Sequence, residues 1–305
     1  MVRLNRTRWG LAGISLLAVL GLIGLTACVS TQPVVGPAEV VSTAAELAPA
    51  LSYLHTAGKN IVDEHGRVVT LRGVNIGGWL LIEPWIIGIE NEKILKSEKE
   101  FWDILGERFG NEAKLDLIRT FRETYFTEDD VRKIAETGVN CIRVPIWWRA
   151  LSDPAYGGDM AYLDRCVEWC AKYGLYVIID LHGAHGTQAT QSVIAGEPAD
   201  GSLWKKAENK DQMVEWWKQI AMRYKDQPAV AGYDLLNEAF SAPFDDMMKL
   251  YDRLYREIRQ IDPKHMLFLE DGLIGFHRMP LPGDMGWENV VYSFHYYPQD
   301  RKEGL

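Results

Sequence analysis

Three observations predict an α/β chain built as a (β/α)8 TIM barrel. Short apolar strands alternate with amphipathic helices, which argues for parallel βα units. Successive strands end in polar residues, as at the carboxyl-terminal face of a barrel. The first strand runs into Gly77-Gly78-Trp79. An open doubly wound sheet would instead place a glycine-rich phosphate loop and a helix there.

The elements follow in order. Residues 61–69 read as a β-hairpin with a polar turn, suited to closing the bottom of a barrel. The first barrel strand spans about 71–76. A long loop with Trp79, Glu83 and Trp85 follows, then a helical region near 98–109. The helix 128–137 leads into the second strand, 140–145, and the helix 160–173 into the third, 175–181. The helix 211–224 leads into the fourth strand, 229–236, and the helix 245–261 into the fifth, 266–269. The sixth, 289–294, ends at His295-Tyr296-Tyr297. About six of the eight strands of a closed barrel are therefore expected in this sequence, and the barrel is incomplete.

Before this domain lies a targeting segment. Arg3, Arg6 and Arg8 precede an apolar run from Trp9 to Leu25, and Leu25-Thr26-Ala27 sets small residues before Cys28. This resembles the bacterial lipoprotein box. The organisation expected is a lipoprotein signal peptide at 1–27, a Pro-, Ala-, Val-, Thr- and Ser-rich tether at 28–55, and a catalytic domain at 56–305. Cys28 would carry the lipid, anchoring an exported protein to a membrane. Three cysteines remain, Cys141, Cys166 and Cys170, an odd number best read as buried free thiols.

A net charge of -9 argues against nucleic acid as a partner, because phosphate binding needs a basic surface. Eleven Trp and thirteen Tyr are high numbers; aromatics beyond the needs of a core can serve as binding platforms, although core packing is the first reading of any single Trp. A monomer is expected.

The strand ends carry the chemistry. The second gives Arg143. The third gives Asp180, His182 and His185. The fourth, Asp234-Leu235-Leu236-Asn237-Glu238, gives an amide followed at once by a carboxylic acid, and the sixth gives His295 and Tyr297. Sugar hydrolysis needs an acid of this kind and a second carboxylate from another strand. Asp180, His182 and His185 could instead suggest metal ligands. The residues at the other strand ends, Arg143, Asn237 and Tyr297, are poor partners for zinc, so no metal and no cofactor is expected. Glu270, at the end of the fifth strand, is the other strand-end carboxylate that could serve as a nucleophile, but it is expected instead to line the cleft or to cap a helix with Asp271.

Taken together these segments resemble glycoside hydrolase family five, a family of retaining barrel glycosidases. Arg72-Gly73-Val74-Asn75-Ile76-Gly77-Gly78-Trp79-Leu80 with Glu83-Pro84-Trp85 is similar to its exo-β-1,3-glucanase branch. Ile142-Arg143-Val144-Pro145, Asp180-Leu181-His182-Gly183, Leu235-Leu236-Asn237-Glu238 and His295-Tyr296-Tyr297 match the family motifs in the family order. His185 and Ala239 stand where proline is usual. The resemblance implies Glu238 as acid/base and Asn237 as the ligand of the substrate 2-hydroxyl. Arg143 and Tyr297 would orient the nucleophile. His182, His295 and Glu83 would line the sugar subsite, and Trp85 and Trp148 are candidate cleft residues. The family nucleophile is a Glu at the end of a seventh strand, beyond residue 305, so the 305 residues alone are expected to be inactive.

The function expected is hydrolysis of β-glucosidic bonds in β-glucan oligo- or polysaccharides. β-1,3-glucan is the first choice, β-1,4 or mixed-linkage glucan the next, and exo or endo action stays open. The other reading is a cell-surface lipoprotein that binds glucan without cleaving it.

Overall fold

A computed structural model describes residues 50–88, 95–189, 196–239, 242–272 and 275–296. Cys28, with the targeting segment and most of the tether, lies outside the described residues, as does Tyr297.

The chain opens with a two-stranded antiparallel ribbon, β1 (Leu54–Ala57) and β2 (Asn60–Asp63). It then enters a parallel sheet. Its strands are β3 (Gly73–Asn75), β4 (Cys141–Trp147), β5 (Tyr176–Gly183), β6 (Val230–Asp234), β7 (Met266–Glu270) and β8 (Val290–Ser293). Spatial order follows chain order from β3 to β8, and every neighbouring pair is parallel. This is the arc of a (β/α)8 barrel, six strands of it among the described residues. The central strands are buried along both faces, so their apolar runs are nearly continuous, as parallel sheets require.

The helices cover the outside. They are α1 (Glu98–Phe109), α2 (Asn111–Tyr125), α3 (Glu128–Glu136), a short α4 (Trp148–Ser152), α5 (Ala161–Tyr173), a short α6 (Ser202–Lys205), α7 (Ala207–Tyr224) and α8 (Phe244–Arg259). Amphipathic spacing explains their docking. In α8 the buried positions are Met247, Met248, Leu250, Tyr251, Leu254 and Ile258, an i, i+3, i+4 stripe against the sheet. Helix α3 starts at a capping box in which Thr127 and Asp130 satisfy each other's backbone N–H groups.

The ribbon differs from the sequence expectation. The regular hairpin is formed by β1 and β2 and begins at Leu54, two residues inside the stretch read as tether. The segment 61–69 folds back on β2 through the Val62–Val68 bridge and the Val69 N–H to Ile61 C=O bond. Asp63 dictates this turn, because its carboxylate accepts from the N–H groups of His65 and Arg67, an arrangement that competes with a longer ladder. The position at the base of the barrel agrees with the expectation. Leu54 is buried among Cys141, Tyr176, Ala231, Met266 and Phe268, which lie toward the amino-terminal ends of β4 to β7.

Cys141, Cys166 and Cys170 are buried thiols. The loop after β3 is held from below by a buried pair, Glu98 and Arg122. Glu98 Oε2 accepts the Ile82 N–H at 2.7 Å, and Oε1 accepts the Trp102 indole at 3.0 Å. Arg122 Nη1 donates to the carbonyls of Tyr156 and Gly157 at 2.9 Å each. Gly78 sits in this loop at φ 81°, where a Cβ would meet the Tyr125 hydroxyl at 2.4 Å. Glycine is thus required where the loop crosses the end of α2.

Candidate active site

Side chains from β5, β6 and β7 converge on one guanidinium of β4. Arg143 projects inward from β4. Its Nε donates to Asp234 Oδ2 at 2.8 Å, its Nη1 lies 3.0 Å from Asp180 Oδ2, and its Nη2 lies 2.9 Å from Glu270 Oε1. Nη2 also donates to Asn237 Oδ1 at 3.1 Å. Asp180 and Asp234 are paired residues in the register of β5 and β6. Two carboxylates opposite one another destabilise a sheet unless a cation stands between them, and Arg143 is that cation. Burial opposes its charge, but the three carboxylates outweigh burial and raise its pKa, so the guanidinium stays protonated. Burial in turn raises the carboxyl pKa of Asp180, and that of Asp234 up to about 6.

Two histidines face these carboxylates. His182 Nδ1 lies 2.7 Å from Asp180 Oδ2, and its Nε2 lies 3.5 Å from Glu83 Oε1. Burial alone would lower its pKa, but the Asp180 and Glu83 carboxylates push it up to about 9. Asn237 pulls the other way. Its oxygen is taken by Arg143, so its Nδ2 faces His182 Nε2 at 3.1 Å, a donor that suits a neutral ring. The shorter contact, to Asn237, favours the neutral ring with its proton on Nδ1. A Glu83 carboxylate moving closer favours the cation.

Glu238 follows this amide at φ 39°, a left-handed backbone that costs a side-chain-bearing residue about 1–3 kcal/mol and persists where its surroundings enforce it. Here Glu270 Oε2 captures the Glu238 N–H at 2.6 Å. The Glu238 carboxyl Oε1 lies 2.6 Å from His295 Nδ1, and His295 Nε2 lies 3.1 Å from Glu270 Oε1. Burial would lower the His295 pKa, but the two carboxylates raise it to about 10.

The cleft above these groups has a volume of about 880 Å³. Its walls include Asn75, Glu83, Trp85, Arg143, His182, Glu238, Phe294, His295 and Tyr296. Trp85 is 59% exposed and its indole donates to Glu83 Oε2 at 2.8 Å. The two residues form a wall with an apolar face and a fixed carboxylate. A second hollow, about 870 Å³, lies at the foot of the barrel between β1 and β8, away from the converging strand ends.

The structure therefore brings Glu83, Trp85, Arg143, His182, Glu238 and His295 to one cleft. Asn237 is fully buried behind it, held through both ends of its amide. Trp148 stands elsewhere. Its ring stacks on His185 at 4.0 Å, the Arg149 guanidinium lies 4.3 Å from its centroid, and its indole donates to Glu197. Its surface is engaged by protein rather than turned to the cleft.

Several site residues were not legible in the sequence. Asp234 is the last residue of β6, between the apolar stretches 229–233 and 235–236, and only the three-dimensional approach of Arg143 gives it a role. Glu270, expected as a cleft or cap residue, is buried beneath the cleft with three donors on its carboxylate. Asp271 makes a local bond, accepting the Gly275 N–H at 3.1 Å. Gln188 is fully buried. Its amide nitrogen donates to the carbonyls of His182 at 2.7 Å and Asn237 at 2.9 Å, pinning two strand ends together. Phe294 and Tyr296 add aromatic surface at the rim. The signal for them was the Phe-His-Tyr-Tyr run itself.

The sequence model for Cellulase (glycosyl hydrolase family 5) matches residues 102–304. A beta-xylosidase of Phanerodontia chrysosporium is 31% identical over 253 residues, 81% of this chain and 52% of that protein. A probable glucan 1,3-beta-glucosidase A of Aspergillus fumigatus is 32% identical over 236 residues, 74% of this chain and 55% of that protein. The chain thus spans about half the length of the curated relatives it matches. Among solved structures, a rutinosidase from Aspergillus niger superposes with a TM-score of 0.64 at 19% identity, over 76% of this chain and 71% of that one. A beta-glucanase from Saccharophagus degradans superposes with a TM-score of 0.54 at 22% identity, over 83% and 64%. Both structures share the fold.

Proposed function

The chain belongs to glycosyl hydrolase family 5, and on that premise we propose that the whole protein is a retaining glycoside hydrolase acting on β-glucosidic bonds of β-glucans. The observation that carries this reading is the setting of Glu238. It is an acid at the end of a barrel strand, held in a strained backbone conformation at the wall of a cleft, with its carboxyl on a histidine.

Glu238 gives its proton to the glycosidic oxygen as the bond from that oxygen to the anomeric carbon breaks. A second carboxylate attacks the anomeric carbon and forms a glycosyl-enzyme. Water then attacks that carbon, Glu238 takes a proton from the water, and the second carboxylate leaves. The family resemblance assigns the second carboxylate to a seventh strand. Retention requires the two carboxyls about 5–5.5 Å apart. Arg143 favours an ionised partner, because a guanidinium beside a carboxylate stabilises its charged form. Glu83 and Trp85 offer sugar hydroxyls an acceptor and a sugar ring an apolar face.

β-1,3-Glucan is the first substrate we propose. The likeness of 72–85 to the exo-β-1,3-glucanase branch and the probable glucan 1,3-beta-glucosidases among the relatives support it. The test is proton NMR of the first product released by the full-length protein from soluble β-1,3-glucan, with β-1,4-glucan alongside. The β-anomer should appear before mutarotation. Initial release of the α-anomer refutes retention, and turnover of β-1,4-glucan alone refutes the linkage.

A further inference from the structure

Glu270 is the least explained acid in the site. It lies beneath the cleft, and Arg143 already has Asp180 and Asp234 to balance its charge. Charge balance therefore does not account for the bond from Glu238 N–H to Glu270 Oε2, nor for the approach of His295 Nε2 to Oε1. A single imidazole joins two carboxyl groups, with Glu238 Oε1 on Nδ1 and Glu270 Oε1 on Nε2. While Glu270 holds a proton on Nε2, one proton remains for the contact between Nδ1 and Glu238. It resides on Glu238 as the acid or on His295 as the cation.

We propose that Glu270 is a positioning residue for the acid. It fixes the backbone of Glu238 through its N–H and, by orienting His295, keeps a shared proton on the Glu238–His295 pair until the leaving group takes it. This rests on the reading of Glu238 as the acid. The charged or titratable groups around the pair are Arg143 from β4, Asp180 and His182 from β5, Asp234 from β6, Glu270 from β7, and Glu83 across the cleft. Arg143 weakens the hold on the shared proton, and Glu270 strengthens it at the closest range.

The sign follows. Replacing the Glu270 carboxylate by a neutral amide removes a negative charge beside the pair and leaves His295 Nε2 an uncharged acceptor, so the pair releases its proton at lower pH. Glu270→Gln in the full-length protein should move the alkaline limb of kcat/KM on a soluble β-glucan down by about 1–3 pH units. A merely structural role would cut the rate and leave the limb in place, and that result overturns the proposal. A second measurement needs neither turnover nor the variant. Nitrogen-15 NMR of His295 in the wild-type protein should show a titration midpoint far above the value of about 6.5 for free imidazole. A midpoint near that value overturns the proposal even if Glu270→Gln does not fold. A wild type without glycosidase activity but with a high His295 midpoint would keep the proton coupling and refute the hydrolase reading instead.

Discussion

Arg143 Nε donates to Asp234 Oδ2 at 2.8 Å, joining β4 to the end of β6 in a partly buried contact between residues 91 positions apart. Burial pushes the Asp234 carboxyl up to about 6 despite the guanidinium. The folded state therefore binds a proton at Asp234 more tightly than the unfolded chain, where the pKa is about 3.9. Its contribution to stability is complete below the unfolded value and is lost as pH rises to the folded one.

Asp234→Asn removes that titration while keeping an oxygen for Arg143. The stability of the variant relative to wild type should improve between pH 4 and 7 by on the order of 2–3 kcal/mol. Urea unfolding of both proteins across this range measures it. A constant difference means that Asp234 is ionised throughout and that Arg143 outweighs its burial.

Glu238→Gln keeps the size of the side chain and removes the proton. In the full-length protein, hydrolysis of unactivated β-glucan should fall by about 10²–10⁴-fold. An aryl glucoside with a strongly acidic phenol as leaving group needs little protonation and should lose much less in its first step. Rate assays on the two substrates distinguish the roles, because equal losses on both contradict the assignment of Glu238 as the acid.

The six strands were legible in the sequence because each is an apolar run broken by polar ends. The helix 111–125 was not, because its most deeply buried positions, Lys114, Ile118 and Arg122, include two cations, and these interrupt the apolar stripe that Leu115, Ile118 and Phe121 turn to the core. The site divides in the same way. His182, Glu238 and His295 stand at or just past strand ends and Arg143 within β4, all in recognisable motifs, and they meet in the cleft. Glu270 also ends a strand, but its role depends on the backbone turn of Glu238 and on the rotation of His295, which no spacing encodes. Trp148 illustrates the converse. Its place after β4 suggested a platform, but His185, standing where proline is usual, supplies a ring for it to stack on.

The small-residue box before Cys28 motivates a separate proposal, that the mature protein begins at Cys28 with a lipid on its sulfur. Stable attachment requires more than one acyl chain, which a diacyl lipoprotein anchor supplies. Cys28→Ala should move the protein from the membrane pellet to the soluble fraction. If the variant sediments with the membrane as wild type does, another segment anchors the protein.

His185 supplies a prediction of opposite sign to that of Asp234. Its ring is buried on Trp148, and burial, aided by the nearby Arg149 cation, lowers its pKa to about 3. The unfolded chain takes up this proton near pH 6.5, whereas the native fold refuses it until far more acid conditions. The stabilisation is therefore present above pH 6.5 and is lost as pH falls toward 3. Each unit in that window costs about 1.4 kcal/mol. His185→Phe keeps an aromatic ring against Trp148 and removes the titration. Thermal unfolding from pH 7 to pH 4 should show wild type losing about 3 kcal/mol relative to the variant. Parallel curves would mean that the His185 ring accepts its proton in the folded state, which would require the stack on Trp148 to open to solvent.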